Sequence, residues 1–325
     1  MRAAVRDRYG PPEVVRVVEV EKPAVTDHDV LVRVHATTVN RTDCGLRAAK
    51  PWIYRLFLGL QRPRRTILGT EFAGEVEAVG DGVTAFKVGD RVFGFSGTAF
   101  GAHADYLTLP EDESMLATIP EGMSFEEAAP GTEGSHYALS SIRAVKVRRG
   151  QAVLVYGATG AIGSAAVQLL KQLGATVTAV CATDQLDLVK GLGADRVVDY
   201  TAEDFTSDGH RYDVVMDAVG KSSFGRCRRL LKPRGLYLSS DLGPLSQNPL
   251  LALVTPLGRG RRVRFPIPRS DPGVMAHLKE LIGSGAFRPV VDRRYPLDEI
   301  VEAYRYVETG RKVGNVVISV ALRAS

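Results

Sequence analysis

The stretch from Gln151 to Cys181, QAVLVYGATGAIGSAAVQLLKQLGATVTAVC, constrains this chain more than any other. Val153 to Tyr156 is a short apolar, partly β-branched run suited to a strand buried on both faces. Gly157, Gly160 and Gly163 follow at intervals of three, which gives a turn free of Cβ atoms and a helix start packed close to the strand. From Ser164, the positions Ala166, Val167, Leu169, Leu170 and Leu173 keep helical spacing until Gly174 stops the helix, and Thr176 to Val180 reads as a second strand. Three spaced glycines alone occur in many loops. With a strand before and a helix and strand after, they predict a unit that binds a dinucleotide, its phosphates on the helix amides. The cradle is Tyr156, Gly157, Ala158, Thr159, Gly160, Ala161, Ile162 and Gly163.

The text on either side differs. From Ser124, helices and strands alternate, with further strands at Arg196 to Tyr200, Tyr212 to Asp217, Gly235 to Ser239 and Arg262 to Phe265, which predicts a doubly wound parallel α/β sheet. Ser124 and Glu127 form a capping box at the first helix. Before Gly122 the runs are short and β-rich, at Val14 to Val20 and Val30 to Val39, followed by a glycine-rich β segment, and predict a small, partly open barrel. β-like text returns at Val290 to Tyr295 and Asn315 to Val320 around a helix from Asp298 to Thr309. At 325 residues two domains are expected: 1–122 with 286–325, and 123–285. Leu46 to Leu60, with Trp52, Ile53, Tyr54, Leu56, Phe57 and Leu58, is either a core helix or a lid over an apolar pocket.

Composition removes several classes. Hydrophobic content of 45% and charged content of 24% are globular values. A net charge of +5 is mild for this length, and in RGRRVR the alternation of Val263 and Phe265 with arginines reads as a half-buried strand, so no nucleic-acid partner is expected. Cys44, Cys181 and Cys227 lie far apart without C-x-x-C spacing, which suits a reducing cytoplasm. No apolar run reaches membrane-spanning length and the charged N-terminus is unlike a signal peptide, so no membrane partner is expected.

With these residues in view, the chain resembles the medium-chain dehydrogenase/reductase superfamily from end to end, and most its zinc-free quinone oxidoreductase branch. The motifs are VNRTD at Val39 to Asp43, GTEFAGEVEAVG at Gly69 to Gly80, VGDRVFGF at Val88 to Phe95, PEGMSFEEAA at Pro120 to Ala129, VYGATGAIGSAAVQLLKQLGA at Val155 to Ala175, LGADRVVDYTAEDF at Leu192 to Phe205 and GRKVGNVVI at Gly310 to Ile318. The resemblance implies a Rossmann doubly wound parallel sheet plus a discontinuous, partly open β-barrel (GroES-like) catalytic domain. Where zinc members carry Cys-His-Thr-Asp this chain has Asn40-Arg41-Thr42-Asp43, and where they carry Gly-His-Glu it has Gly69-Thr70-Glu71. An amide and a hydroxyl do not replace thiolate and imidazole, so no metal is expected. Without that Lewis acid, conjugate hydride addition to a quinone or an α,β-unsaturated carbonyl is the expected reaction.

The resemblance also places Asn40 and Asp43 beside nicotinamide and substrate, and Tyr54 over the pocket, as candidate catalytic residues. Asn40 reads equally as a turn residue and Asp43 as a helix cap. The second strand of the dinucleotide unit ends at Cys181 without an acidic residue, which favours NADPH over NADH. Thr183, Lys190 and Tyr200 are candidates for the 2′-phosphate, because Leu186 stands near the place of a lysine in similar enzymes. Ala218, Val219 and Asn315 are expected cofactor contacts by resemblance. The expected substrate is small, apolar and electrophilic. A homodimer pairing through Arg262 to Phe265 is expected. An enoyl-thioester reductase with Arg62, Arg64 and Arg65 at its mouth, or a non-catalytic NADPH-binding module with an RNA- or partner-binding surface, are the alternatives.

Overall fold

The computed structural model describes residues 1–111, 115–239, 241–268 and 272–320. Strands β1 (Arg2–Val5) and β2 (Arg16–Glu19) form an antiparallel ribbon. They are followed by β3 (Asp29–Val39), β4 (Glu71–Val79), β5 (Arg91–Phe95), β6 (Tyr106–Pro110) and β7 (Met115–Thr118). The alternating unit then supplies β8 (Ala152–Tyr156), β9 (Thr176–Cys181), β10 (Arg196–Asp199), β11 (Tyr212–Asp217), β12 (Leu231–Ser239) and β13 (Arg262–Arg264), and the tail adds β14 (Val291–Pro296) and β15 (Asn315–Ser319).

Two compact units result. One is Met1–Glu133 with Ser270–Gly285 and Pro289–Ser325; the other is Gly134–Arg269 with Ala286–Arg288. In the first, the sheet runs β14-β15-β3-β4-β5-β7, with β6 also paired to β3. All pairs but β14-β15 are antiparallel, and the sheet does not close. Its strands alternate poorly because β3 and β4 are buried on both sides. Val30, Val32, Val34, Phe72, Val92, Ile300, Tyr304 and Ile318 meet there in one apolar core. β3 slips register between Val34 and Ala36, and His35 at the slip stacks on Phe125 at 4.3 Å.

The second unit is a six-stranded parallel sheet in the order β10-β9-β8-β11-β12-β13. The order reverses beside β8, the switch point at which such sheets bind ligands outside the carboxyl ends of their strands. Leu154, Val180, Val198, Val215, Leu231, Tyr237 and Val263 build its core. Val263 is fully buried between half-buried Arg262 and exposed Arg264, the alternation expected of a strand. The capping box forms: Ser124 N–H donates to Glu127 Oε2 at 2.9 Å and Glu127 N–H to Ser124 Oγ at 3.3 Å. Among the described residues, no helix is long and apolar enough to cross a membrane.

Candidate active site

Three segments of the first unit bring carboxylates together in its interior. β3 leads into Asn40, the N-cap whose extended φ of −116° and ψ of 174° turn the chain into the helix Arg41–Ala48. Asn40 N–H donates to Asp43 Oδ2 at 2.8 Å, so Asp43 does cap that helix. Glu71 begins β4, between β3 and β5, and Thr132–Glu133 arrives at the start of the helix Glu133–Val145. Asn40, Asp43, Thr70, Glu71, Thr132 and Glu133 are all buried.

Glu71 is the acceptor that ties these segments together. Its Oε1 receives Thr132 N–H at 3.1 Å, the Thr132 hydroxyl at 3.0 Å and Glu133 N–H at 2.5 Å. Its Oε2 receives the Thr38 hydroxyl at 2.7 Å and Asn40 Nδ2 at 2.8 Å. Three of these donors are N–H groups that cannot reverse, so both oxygens are held as acceptors.

Glu133 sits in a different setting. Its Oε2 accepts from the Thr70 hydroxyl at 3.3 Å, with Asn40 Nδ2 at 3.5 Å. A hydroxyl can donate or accept, so Glu133 can carry a proton where Glu71 cannot. Burial first, and the charge of Asp43 next, push the Glu133 carboxyl up, while Thr42 and half-buried Lys312 oppose the shift. Asp43 and Glu71 are raised by the same burial and by like charge. Three carboxyls with one ammonium in a dry place retain a proton near neutrality; the N–H donors keep it off Glu71, and the groups that can hold it are Glu133, beside the reversible Thr70 hydroxyl, and Asp43, whose Oδ1 has no donor among the described residues.

His103 is a structural neighbour. Its Nε2–H donates to Thr38 O at 2.8 Å, Nδ1 accepts from the Tyr304 hydroxyl at 3.3 Å, and burial pushes its pKa down to about 4. It is a neutral ring of one tautomer that supports the end of β3.

Tyr54 opens the short helix Tyr54–Leu58, and its ring edge lies over Gly45 of the Arg41–Ala48 helix. The core-helix reading of Leu46 to Leu60 is corrected here. No residue of Tyr54–Leu58 is buried, and Trp52 and Phe57 are 62% and 76% exposed. Apolar content suggested a core; Tyr9 beneath holds the segment by its polar side, with the Tyr9 hydroxyl donating to Gly59 O at 2.7 Å.

In the second unit the glycine turn has the expected form. Gly157 adopts φ of +80°, and a Cβ on Gly163 would fall 2.0 Å from Gly157 O, so neither position accepts a side chain. Gly160 caps the helix Ala161–Gln172 without a side-chain acceptor, which leaves the first-turn amides near Ala161, Ile162 and Gly163 for an anion. Tyr156, Ala158 and Thr159 complete the turn; Ala158 N–H bonds to Val180 O and Ala158 is fully buried. Ala218 N–H bonds to Tyr156 O at 3.0 Å, and Asp217 accepts from Val219 N–H at 3.1 Å, which fixes the loop after β11 beside the turn. These residues fit a dinucleotide.

The 2′-phosphate candidates separate. Cys181 is buried, with its thiol pushed up to about 11 by burial and its carbonyl accepting from Tyr200 N–H at 3.1 Å, so it marks the end of β9 without offering a group to the phosphate. Lys190 is exposed and 3.8 Å from Asp187. Tyr200 is half exposed, edge-on to Tyr156 at 6.4 Å, and lines a recess of about 380 Å³ with Tyr156, Thr201, Asp204, Phe205 and Arg226. The Thr183 hydroxyl donates to Asp199 Oδ2 at 2.5 Å. Asp199, at the end of β10, is a charge the sequence reading did not place here. Asn315 lies in the first unit at the start of β15, 2% exposed; its Nδ2 donates to Val290 O at 3.0 Å, and its Oδ1 has no donor among the described residues.

Family models match two stretches of this chain: an alcohol dehydrogenase GroES-like domain over residues 26–121 and a zinc-binding dehydrogenase over residues 192–318. The 2-methylene-furan-3-one reductase of Solanum lycopersicum is 32% identical, over 98% of this chain and 79% of its own. The chain belongs to the medium-chain dehydrogenase/reductase superfamily, in its quinone oxidoreductase-like branch. The chloroplastic NADPH-dependent alkenal/one oxidoreductase of Arabidopsis thaliana is 31% identical over the same shares. The quinone oxidoreductase of Coxiella burnetii superposes with a TM-score of 0.87 at 27% identity, over 99% of both chains.

Zinc members of the superfamily set the test for a metal. At the two replaced positions, Asn40 is bonded to Glu71 and Thr70 to Glu133. Among the described residues, no group of three or more His, Cys, Asp or Glu side chains is arranged to hold a metal ion. An amide and a hydroxyl already engaged with carboxylates do not fit Zn²⁺. Within this superfamily chain the sequence reading missed Glu133 and Lys312, and saw Glu71 only as the residue after a lost ligand. Glu133 carries no motif signal; Glu71 and Lys312 lie inside two of the matching motifs.

Proposed function

We propose that the protein is an NADPH-dependent oxidoreductase that transfers hydride to a quinone or an α,β-unsaturated carbonyl without zinc. The observation that carries this reading is the Asn40–Thr70–Glu133 arrangement, in which the residues at the two replaced ligand positions bond a buried carboxyl that burial raises toward its protonated form. The names of the Solanum, Arabidopsis and Coxiella relatives support the same reaction class, and the Arabidopsis name supports NADPH.

Bound nicotinamide supplies the hydride. The glycine turn orients the cofactor through its amides, with Tyr200, Thr183 and Lys190, beyond the strand end at Cys181, toward the 2′-phosphate, and Ala218, Val219 and Asn315 toward the nicotinamide. Tyr54 orients the substrate through its hydroxyl. Glu133 passes its proton to the Thr70 hydroxyl, which delivers its own to the enolate oxygen or carbon that hydride addition leaves negative. Asn40 and Asp43 hold this relay in register by bonding Glu71 and the helix start. β13, an edge strand with a partner on one side only, is the place for pairing with a second copy.

The test follows NADPH and NADH absorbance against quinones, 2-alkenals, enones, enoyl thioesters and simple alcohols, with and without a chelator. Turnover of quinones or enones that survives chelation is expected. Activity confined to simple alcohols or aldehydes, or abolished by the chelator, would overturn the reading.

A further inference from the structure

The helical turns from Pro51 to Gly59 expose an apolar face that the fold does not use. Within these turns Trp52, Ile53, Leu56 and Phe57 recur at i, i+1, i+4 and i+5 and so share one side, and Leu60 follows just past Gly59, whose φ of +120° ends the helix. Trp52, Phe57 and Leu60 are 62%, 76% and 60% exposed. An amphipathic helix normally turns such a stripe into the core. Here the opposite side is anchored: Arg55 stacks over Tyr9 at 5.0 Å, and the Tyr9 hydroxyl holds Gly59 O.

Charge decides what covers this face. Between Asp43 and Glu71 the chain has no acidic residue and six basic ones, Arg47, Lys50, Arg55, Arg62, Arg64 and Arg65. Lys50, Arg62, Arg64 and Arg65 are exposed, with no carboxylate partner among the described residues. Phosphate headgroups take a single-sign cationic rim, and the boundary between headgroup and acyl chain takes an indole, a phenyl ring and leucines. A second copy would bring the same cations face to face, which opposes self-association. RNA offers phosphates and stacking bases but leaves Ile53, Leu56 and Leu60 wet.

We propose that residues 50–65 dock the protein on the surface of an anionic lipid bilayer, with Trp52, Phe57 and Leu60 inserted at the headgroup boundary. The contact lies on the surface and spans nothing. It places the protein where lipophilic quinones and enones concentrate, and it stands whether or not those are the substrates.

Trp52 is the chain's only tryptophan, so intrinsic emission reports this face alone. The full chain, free of cofactor, is titrated with phosphatidylcholine vesicles, and with vesicles that also contain phosphatidylglycerol. Anionic vesicles are expected to shift emission to the blue, and brominated acyl chains to quench it; neutral vesicles are expected to do neither. Arg62→Glu/Arg64→Glu/Arg65→Glu and Phe57→Ser/Leu60→Ser keep Trp52, and each is expected to weaken vesicle binding at least about tenfold. These side chains are exposed, and circular dichroism checks that both variants fold. If either fails to fold, quenching of the unaltered chain decides alone.

The proposal is overturned by an absent shift, or by an equal one with neutral and anionic vesicles. A shift that grows with protein concentration without lipid would mean a second copy covers the face. One produced by NADPH and quinone alone would mean a lid, and one produced by RNA but not by vesicles would mean an RNA surface.

Discussion

Asn40 Nδ2 donates to Glu71 Oε2 at 2.8 Å, joining the residue that follows β3 to the first residue of β4. In zinc members of the superfamily the first of these positions faces a metal. Here it faces a carboxylate, and the charge balance of the interior follows from that exchange.

Glu71 accepts five donors, three of them N–H groups. Glu71→Gln turns an NH₂ group toward one set of them and leaves buried donors unpaired. Urea unfolding should show a loss of roughly 2–4 kcal/mol. Glu133→Gln keeps a neutral group of the same shape and should change stability by less than about 1 kcal/mol at acid pH. Equal losses in the two variants would contradict the assignment of the proton to Glu133.

The folded Glu133 carboxyl is raised from 4.5 to about 7. A raised acid binds its proton more tightly folded than unfolded, so its stabilisation is fully present below about 4.5 and is lost as pH rises through about 7. Relative to Glu133→Gln, the parent protein should lose about 1–3 kcal/mol between pH 5 and pH 8. Parallel unfolding curves across that range would show that Glu133 does not titrate there.

Turnover should carry the same signature. The kcat profile for enone reduction should fall as pH rises through the Glu133 value, and Glu133→Gln should flatten it. Thr70→Val should lower kcat with little change in KM. An unaltered kcat in Thr70→Val would remove the hydroxyl from proton transfer. Tyr54→Phe should raise KM and lower kcat together, and unchanged values would confine Tyr54 to packing over Gly45.

A Cβ at Gly163 meets Gly157 O at 2.0 Å, a backbone atom that cannot give way without reshaping the turn. Gly163→Ala should weaken NADPH binding by more than about tenfold in a fluorescence titration, a difference of about 1.4 kcal/mol. The helical signal should persist, because the rest of Ala161–Gln172 is untouched.

Asp199 holds the Thr183 hydroxyl, and its hydrogen bonds to Thr183 and Thr201 keep its carboxyl below the ordinary range, hence ionised. A charge there opposes a 2′-phosphate on Thr183. Asp199→Asn should therefore shift the NADPH to NADH preference several-fold toward NADPH, read as the ratio of kcat/KM values. A shift toward NADH would place the phosphate elsewhere, with Tyr200 and Arg226 the next residues to test.

The sequence by itself determined the elements whose signals are local. Val153 to Tyr156 and Thr176 to Val180 are fixed by β-branched runs, the turn by Gly157 and Gly163, and the capping box by two residues three apart. The helix start at Asn40 and Asp43 is equally local, and the ordered motifs identified the superfamily. Only tertiary structure decided the rest, because charge and exposure depend on what lies opposite. Glu71, Glu133 and Lys312 are separated by about 60 and about 180 residues and share no pattern, so their gathering is set by the β3-β4-β5 pairing and by the return of the tail. Thr183 and Asp199 meet because β9 and β10 are parallel neighbours that end at the same level. The apolar run at Trp52 to Leu60 read as core or lid in one dimension. Its outward face appeared only once Tyr9, more than forty residues earlier, was seen to hold the other side.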